Sequence, residues 1–232
     1  MRILLVAATT FEIKPLIGKL ELAGQQNELF SRYKYKNTVL DVLIPGVGMV
    51  ATAFYLGKQL ASEHYDFAIN AGIAGTFNKS LVPGSVVNVT EDCIPELGAE
   101  DGEHFLSIFE LGLSDLDTPP FQNGRLINNS PEAVTFINME YVRKLPVAKG
   151  ITSNTIRGSV AGIARIQNLA KADLESMEGA AFFYACMVER VPCLQVRSVS
   201  NFVEERDTSK WELSVAIENL NLWLLGLLID IC

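Results

Sequence analysis

Glu12, Glu178 and Asn201 are the residues of this 232-residue chain whose types and surroundings suit chemistry. Glu12 follows the apolar run "LLVAATTF", Glu178 sits in "ESMEGA" just ahead of "AFFYACMV", and Asn201 ends "LQVRSVSN". Two carboxylates and an amide can move a proton or hold a polar ligand through hydrogen bonds. A carboxylate beside what reads as the buried stripe of a helix is costly unless a partner satisfies it. Two glycine-bearing turns, "PGVGMV" at 45–50 and "NAGIAG" at 70–75, fall at strand ends, where missing Cβ atoms let backbone N–H groups approach a ligand. Together these residues make a candidate pocket. Each also has a plainer reading. Glu12 can be an acid favoured in the first turn of a helix by its dipole. Glu175 and Glu178, three apart, can line a solvated helix face, and Asn201 can be a turn or cap residue. The glycines match neither a GxGxxG fingerprint nor a Walker loop.

The elements that must position these groups alternate along the chain. "RILLVAAT", "VLDVLIP", "DFAINAG", "GSVVNVTE", "LPVAKGITS" and "CLQVRSVS" are short apolar runs closed by Gly, Pro, Ser or Asn, and read as strands. Apolar spacing near 3.6 predicts helices near 11–22, 48–62, 160–171, 174–190 and 210–230. The alternation predicts a three-layer α/β/α fold around a twisted, mixed, mostly parallel sheet, with 1–232 as one domain. Ligands of such sheets sit beyond the carboxyl ends of the strands. Residues 92–145, with Pro119-Pro120 and a turn at Asp101-Gly102, are less regular and are expected to loop over that edge.

Composition narrows the partners. A net charge of −8 argues against nucleic acid, whose phosphates call for clustered Lys and Arg. Cys93, Cys186, Cys193 and Cys232 are far apart in sequence and have only two histidines for company, so neither a metal site nor a disulfide framework is suggested, and a cytoplasmic location fits. The opening "MRILLVAATT" reads as a first strand rather than a signal peptide. The apolar "LNLWLLGLLIDI", bracketed by Glu218, Asn219, Asn221 and Asp230, is expected to fall short of the ~20 residues that span a bilayer, and so to be a buried or subunit-contacting helix.

Taken in order, "AATTFEI", "IPGVGMVATA", "INAGIAGTF", "TIRGSVAGIARI", "ESMEGAAF" and "VRSVSNF" resemble the purine nucleoside phosphorylase and nucleosidase superfamily over nearly the whole chain. The acid-bearing "ATTFE", where phosphorylases carry a glycine-rich phosphate loop, resembles the hydrolytic branch. "ESMEG" and "SNFVEERDTSKW" are most similar to the futalosine hydrolases. The resemblance implies a hydrolase without metal or cofactor that acts on a small purine nucleoside. Glu12 would activate the attacking water, Glu178 would bind the ribose hydroxyls, and Met177 would pack against the sugar. The backbone of Ile156 would contact the purine. Thr155 stands where adenine-specific relatives place an aromatic residue, and Ala74 and Gly75 would lie beside base and ribose. It also implies a homo-oligomer, dimer or larger, in which the terminal helix and the 92–110 loop with Phe105 could close a neighbour's pocket.

Cleaving a ribosyl–purine bond leaves positive charge on the sugar and negative charge on the base, so both ends need stabilisation. At the base end adenine-handling relatives carry Asp where this chain has Asn201. An amide can donate to a 6-oxo group while its oxygen accepts from a protonated N7, which fits hypoxanthine or guanine. The benzoate-like carboxylate of futalosine calls for a cation. Arg157, Arg197 and Arg206 are candidates by position, although arginines placed this way are more often surface charges. An adenine-releasing nucleosidase and a non-catalytic nucleoside-binding module are the competing readings.

Overall fold

The structure is a computed structural model that describes residues 1–129, 135 and 139–231. Its elements run β1 (Arg2–Val6), α1 (Thr10–Ile17), β2 (Glu21–Asn27), β3 (Phe30–Tyr35), β4 (Thr38–Leu43), α2 (Met49–Ser62), β5 (Phe67–Thr76) and β6 (Val86–Asp92). There follow β7 (Gly98–Asp101), β8 (His104–Ser107), β9 (Leu126–Ile127), α3 (Glu140–Arg143), β10 (Val147–Thr152) and α4 (Val160–Leu169). The chain ends with β11 (Leu174–Ser176), α5 (Gly179–Val188), β12 (Cys193–Phe202) and α6 (Leu213–Ile231). Cys93, Cys186 and Cys193 are buried free thiols, and Cys232 lies outside the described residues.

The main sheet is mixed, with strand order β11-β10-β6-β12-β5-β1-β4-β3-β2. Parallel pairs β4–β1–β5–β12 form its centre and antiparallel joins extend it on either side. Side chains alternate across a strand, and β1 shows how this divides the core. Ile3 and Leu5 pack with Ile13 and Leu16 of α1 and Leu220 and Leu224 of α6. Leu4 and Val6 face the other way, against Leu56 and Leu60 of α2 and Phe182 and Phe183 of α5. Two helical layers on one sheet are the expected architecture.

Several element bounds differ from the sequence reading. The helix expected at 11–22 stops at Ile17, because Pro15 removes a ladder donor and Gly18 caps the end; residues 21–27 are instead a fully exposed strand. The helix expected at 174–190 begins only at Gly179, since 174–176 pair with Gly150–Thr152 of β10. Ser176 Oγ accepts the Gly179 N–H and Thr152 Oγ1 accepts the Ala180 N–H, so side chains satisfy that helix start. Glu175 and Glu178 therefore do not share a helix face. The turn at Asp101-Gly102 joins β7 to β8 in a hairpin.

Helix α6 is a single span of 19 residues with a hydropathy of 1.5, long and apolar enough by those measures to cross a membrane, contrary to the short segment expected. Here it lies on the sheet through Ala216, Leu220, Leu224 and Leu228. Its buried Asn221 reaches into α1. The amide Nδ2 donates to Glu12 O at 2.8 Å and to Ile217 O at 2.7 Å, while Oδ1 accepts the Leu16 N–H at 2.9 Å. An uninterrupted α-helix would pair the Glu12 carbonyl with the Leu16 N–H; Asn221 takes both. Asn221→Leu keeps the branched shape but strands two buried backbone groups, at about 1–3 kcal/mol each. We expect urea unfolding to register a loss of about 2–6 kcal/mol; a stability matching the parent protein would contradict this account.

Candidate active site

The carboxyl ends of β1, β4, β5, β11 and β12 converge on a cavity of about 250 Å³. Its walls include Glu12, Ala74, Gly75, Ile156, Met177, Glu178 and Asn201, so the fold brings together every site residue expected from sequence except Thr155. Thr155 is exposed and lies outside the lining. Phe11, Val47 and Trp211 add an apolar wall. A larger cavity of about 550 Å³ around Pro120 and Met187 gathers only Asp117 and Arg190 as charged groups. The buried carboxylates of Glu12 and Glu178, rather than volume, single out the first cavity.

Glu12 stands in the first turn of α1, and only 6% of it is exposed. Its Oε2 accepts from the Thr9 N–H at 3.0 Å and the Thr9 hydroxyl at 3.2 Å; its Oε1 accepts from the Ile73 N–H at 3.1 Å. The first-turn acid of the plainer reading is thus also a cavity residue. Burial pushes its carboxyl above the ordinary range, against the Arg197 charge and the Ile73 and Thr9 hydrogen bonds, and nearby Glu178 adds to the rise.

Glu178 occupies the turn between β11 and α5 and is also buried. Oε1 accepts from the Gly48 N–H at 3.0 Å, and Oε2 lies 4.0 Å from Arg197 Nη1. Glu178 thus stands beside the guanidinium whose charge also acts on Glu12. Arg197, on β12, is 1% exposed, correcting the surface placement that residue type alone suggests. Its Nη2 donates to Asn70 Oδ1 and to Gln195 Oε1, the latter at 3.1 Å. This tethered cation is the functional residue that the sequence reading did not place in the site. The signal was "VRSV", a charge set among apolar residues in a strand that reads as central.

The glycines make room for side chains as well as for a ligand. A Cβ on Gly72 would collide with Arg197 Nη1 and stand 2.8 Å from Glu12 Oε1, so the guanidinium and the carboxylate both use space that is open only because β5 has no side chain there. At Gly75 a Cβ would meet Val203 at 2.8 Å, with Asn201 Nδ2 and Glu175 Cγ just beyond. Asn201 is partly buried; Ser200 Oγ donates to its Oδ1 at 2.7 Å and its Nδ2 donates to Phe202 O at 2.9 Å. One N–H and one acceptor lone pair of the amide remain for a ligand.

Of the other two arginines, Arg157 pairs with Glu96 and Arg206 lies 5.1 Å over the Trp211 ring. Both line a second cavity of about 190 Å³, which shares Ile156, Glu175, Asn201 and Trp211 with the first.

A mixed sheet between two helical layers, with two buried acids and an amide gathered round a cavity at its strand ends, defines an α/β protein with a polar small-molecule site. The sequence model of the Phosphorylase superfamily matches residues 2–228, and the chain belongs to that family. Within it, the chain is 28% identical over 186 residues to a futalosine hydrolase of Streptomyces coelicolor, covering 78% of this chain and 74% of that one. It is 26% identical over 235 residues to a 5'-methylthioadenosine/S-adenosylhomocysteine nucleosidase of Buchnera aphidicola, covering 98% and 89%. The native futalosine hydrolase of Helicobacter pylori superposes with a TM-score of 0.81 over 100% of this chain and 98% of its own at 16% identity, a likeness of fold.

Proposed function

We propose that this protein hydrolyses the N-glycosidic bond of a 6-oxopurine nucleoside, with futalosine as substrate and hypoxanthine and dehypoxanthinyl futalosine as products, a step of menaquinone biosynthesis. The observation that carries the reading is the convergence of two buried carboxylates, Glu12 and Glu178, on one cavity that also takes Asn201, with the buried Arg197 behind them. On this reading Glu12 takes a proton from water as its oxygen attacks C1′. Glu178 accepts hydrogen bonds from the ribose hydroxyls and sets negative charge beside the forming oxocarbenium ion. Met177 packs on the sugar, Ala74, Gly75 and Ile156 hold the base, and the C1′–N9 bonding pair leaves with the purine, which takes its proton at N7 from water. Thr155, exposed beside Ile156, plays no part in stacking on the base.

An adenine-releasing nucleosidase is the second reading, favoured by the 98% coverage of this chain by the nucleosidase relative and by the apolar wall of Phe11, Val47 and Met177, which suits a methylthio group. Incubation with futalosine, inosine and methylthioadenosine in phosphate-free buffer separates the two. Hypoxanthine release from futalosine is expected to dominate. Adenine release at a comparable rate would instead favour the second reading, and strict dependence on added phosphate would mark a phosphorylase. The reading includes a homo-oligomer, because Val47, Val50 and Phe54 are exposed apolar groups near the cavity mouth. Light scattering of the same active preparation at the mass of a single chain would remove that part.

A further inference from the structure

Asp92, at the end of β6, is an acid that none of the roles above uses, and it is wholly buried. A carboxylate so placed is costly unless donors satisfy it. Both of its oxygens accept: Oδ2 from Gln195 Nε2 at 3.1 Å, and Oδ1 from the Thr152 hydroxyl at 3.0 Å. It fits because two neighbours are glycines. A Cβ on Gly150 of β10 would stand 2.9 Å from Asp92 Oδ2, and one on Gly179 of α5 would collide with that oxygen and with Gln195 Oε1. Burial pushes the carboxyl up to about 6, opposed by the bonds from Gln195 and Thr152 and by the charge of Arg197. At neutral pH it is therefore ionised and can only accept.

Each of those bonds decides what the donor does next. A glutamine amide has one donating end and one accepting end. With Nε2 held by Asp92, Oε1 must turn to Arg197, where it accepts from Nε at 3.3 Å and Nη2 at 3.1 Å. Asn70 repeats the device on β5: its Nδ2 donates to Val6 O at 3.1 Å, and its Oδ1 accepts from Arg197 Nη2. The guanidinium is thereby held through Nε and Nη2, and Nη1 stands 4.0 Å from Glu178 Oε2. The second bond acts on the other partner of that contact. Thr152 gives its proton to Asp92 and accepts the Ala180 N–H at 2.7 Å, two residues after Glu178. We propose that Asp92 is a positioning residue: by orienting Gln195 and Thr152 it sets both sides of the Glu178–Arg197 contact. This rests on the reading of Glu12 and Glu178 as the working carboxylates and adds a residue behind them. Arg197 and Glu178 are charges that act on Glu12, the first lowering its pKa and the second raising it. The Glu12 titration therefore reports where the guanidinium stands.

Carboxyl ¹³C NMR on the intact protein follows that titration, with the Glu12 signal identified by its loss in Glu12→Gln, and the acid limb of kcat/KM for futalosine follows it in turnover. Asp92→Ala frees the Gln195 amide to turn its donors toward Arg197. It should raise the Glu12 midpoint by about one unit, part of the shift of about 1–3 that a neighbouring opposite charge supplies. Asp92→Asn can turn its oxygen to Gln195 and its NH₂ to Thr152, and should recover most of the wild-type value. The sign is diagnostic. An anion that acted only through its own charge would, on removal, lower the midpoint equally in both variants. A residue that only supports the fold would lower the urea midpoint and leave the titration unmoved. Either result overturns the assignment. Gln195→Met keeps the Asp92 charge but removes the amide, so it should raise the Glu12 midpoint as Asp92→Ala does. It carries the same test if Asp92→Ala does not fold, and an unmoved midpoint there again overturns the assignment. A wild-type protein that releases no base from any nucleoside would remove the nucleosidase reading, while the NMR titration would still decide the role of Asp92.

Discussion

Glu12→Gln should reduce turnover of futalosine by about 10²- to 10⁴-fold, the usual contribution of a positioned general base, while hypoxanthine binding survives. The side chain keeps its shape, and one amide oxygen can still accept from Thr9 or Ile73, so the cavity should stay assembled. What is lost is the group that takes the proton from water. In the parent protein the base must be ionised, and burial raises its pKa, so kcat/KM should fall as pH drops through a value above the ordinary glutamate range. The variant's residual rate should lack that acid limb. Turnover near the wild-type level, or loss of base binding along with turnover, would remove Glu12 from the role of base.

The second large effect is expected at Arg197. Arg197→Leu leaves Glu12 and Glu178 without their shared cation and strips Asn70 and Gln195 of a donor. Removing one partner of a buried ionic cluster costs about 3–5 kcal/mol, because the remaining charges stay desolvated. The sign of the catalytic effect follows from the same contact. Arg197 holds the Glu12 pKa down, so in any folded variant the acid limb of kcat/KM should move to higher pH. Arg197→Lys, with a cation but no fork, should recover part of the stability and part of the shift. Denaturant unfolding and a pH–rate profile on the same preparations check both halves. An Arg197→Leu protein as stable as the parent, with an unmoved limb, would mean that the guanidinium is incidental.

Much of this was legible in the chain because the site uses the ends of apolar strands. Glu12, Ala74, Gly75 and Asn201 each follow a run of Ile, Leu, Val or Ala that had to be a central strand, and such strands deliver their C-terminal residues to one edge. What resisted reading has physical causes. Strand β2, "ELAGQQN", is exposed throughout, so no buried face imprints a period of two on its sequence. The start of α5 was placed too early because "AAFFYACMV" is buried on nearly every side, and an all-round apolar helix has no stripe to time its first turn. Arg197 stood unassigned among three candidate cations because arginine is seldom buried; only the fold reveals Glu178, Asn70 and Gln195 around it. Glu175 could be half of a solvated pair on a helix until β11 is seen as a strand, which pairs it with Gly75 and takes it off Glu178's helix.

The reach of Asn221 into α1 ties catalysis to the order in which the polypeptide is made. Position 221 lies 209 residues after Glu12, and its amide replaces a rung that the shorter helix would otherwise make for itself. A nascent chain that has exposed Glu12 but not yet α6 therefore holds its general base on an unfinished scaffold. A chain that stops before α6 therefore leaves two backbone groups of Glu12's helix without the partner that the full chain gives them.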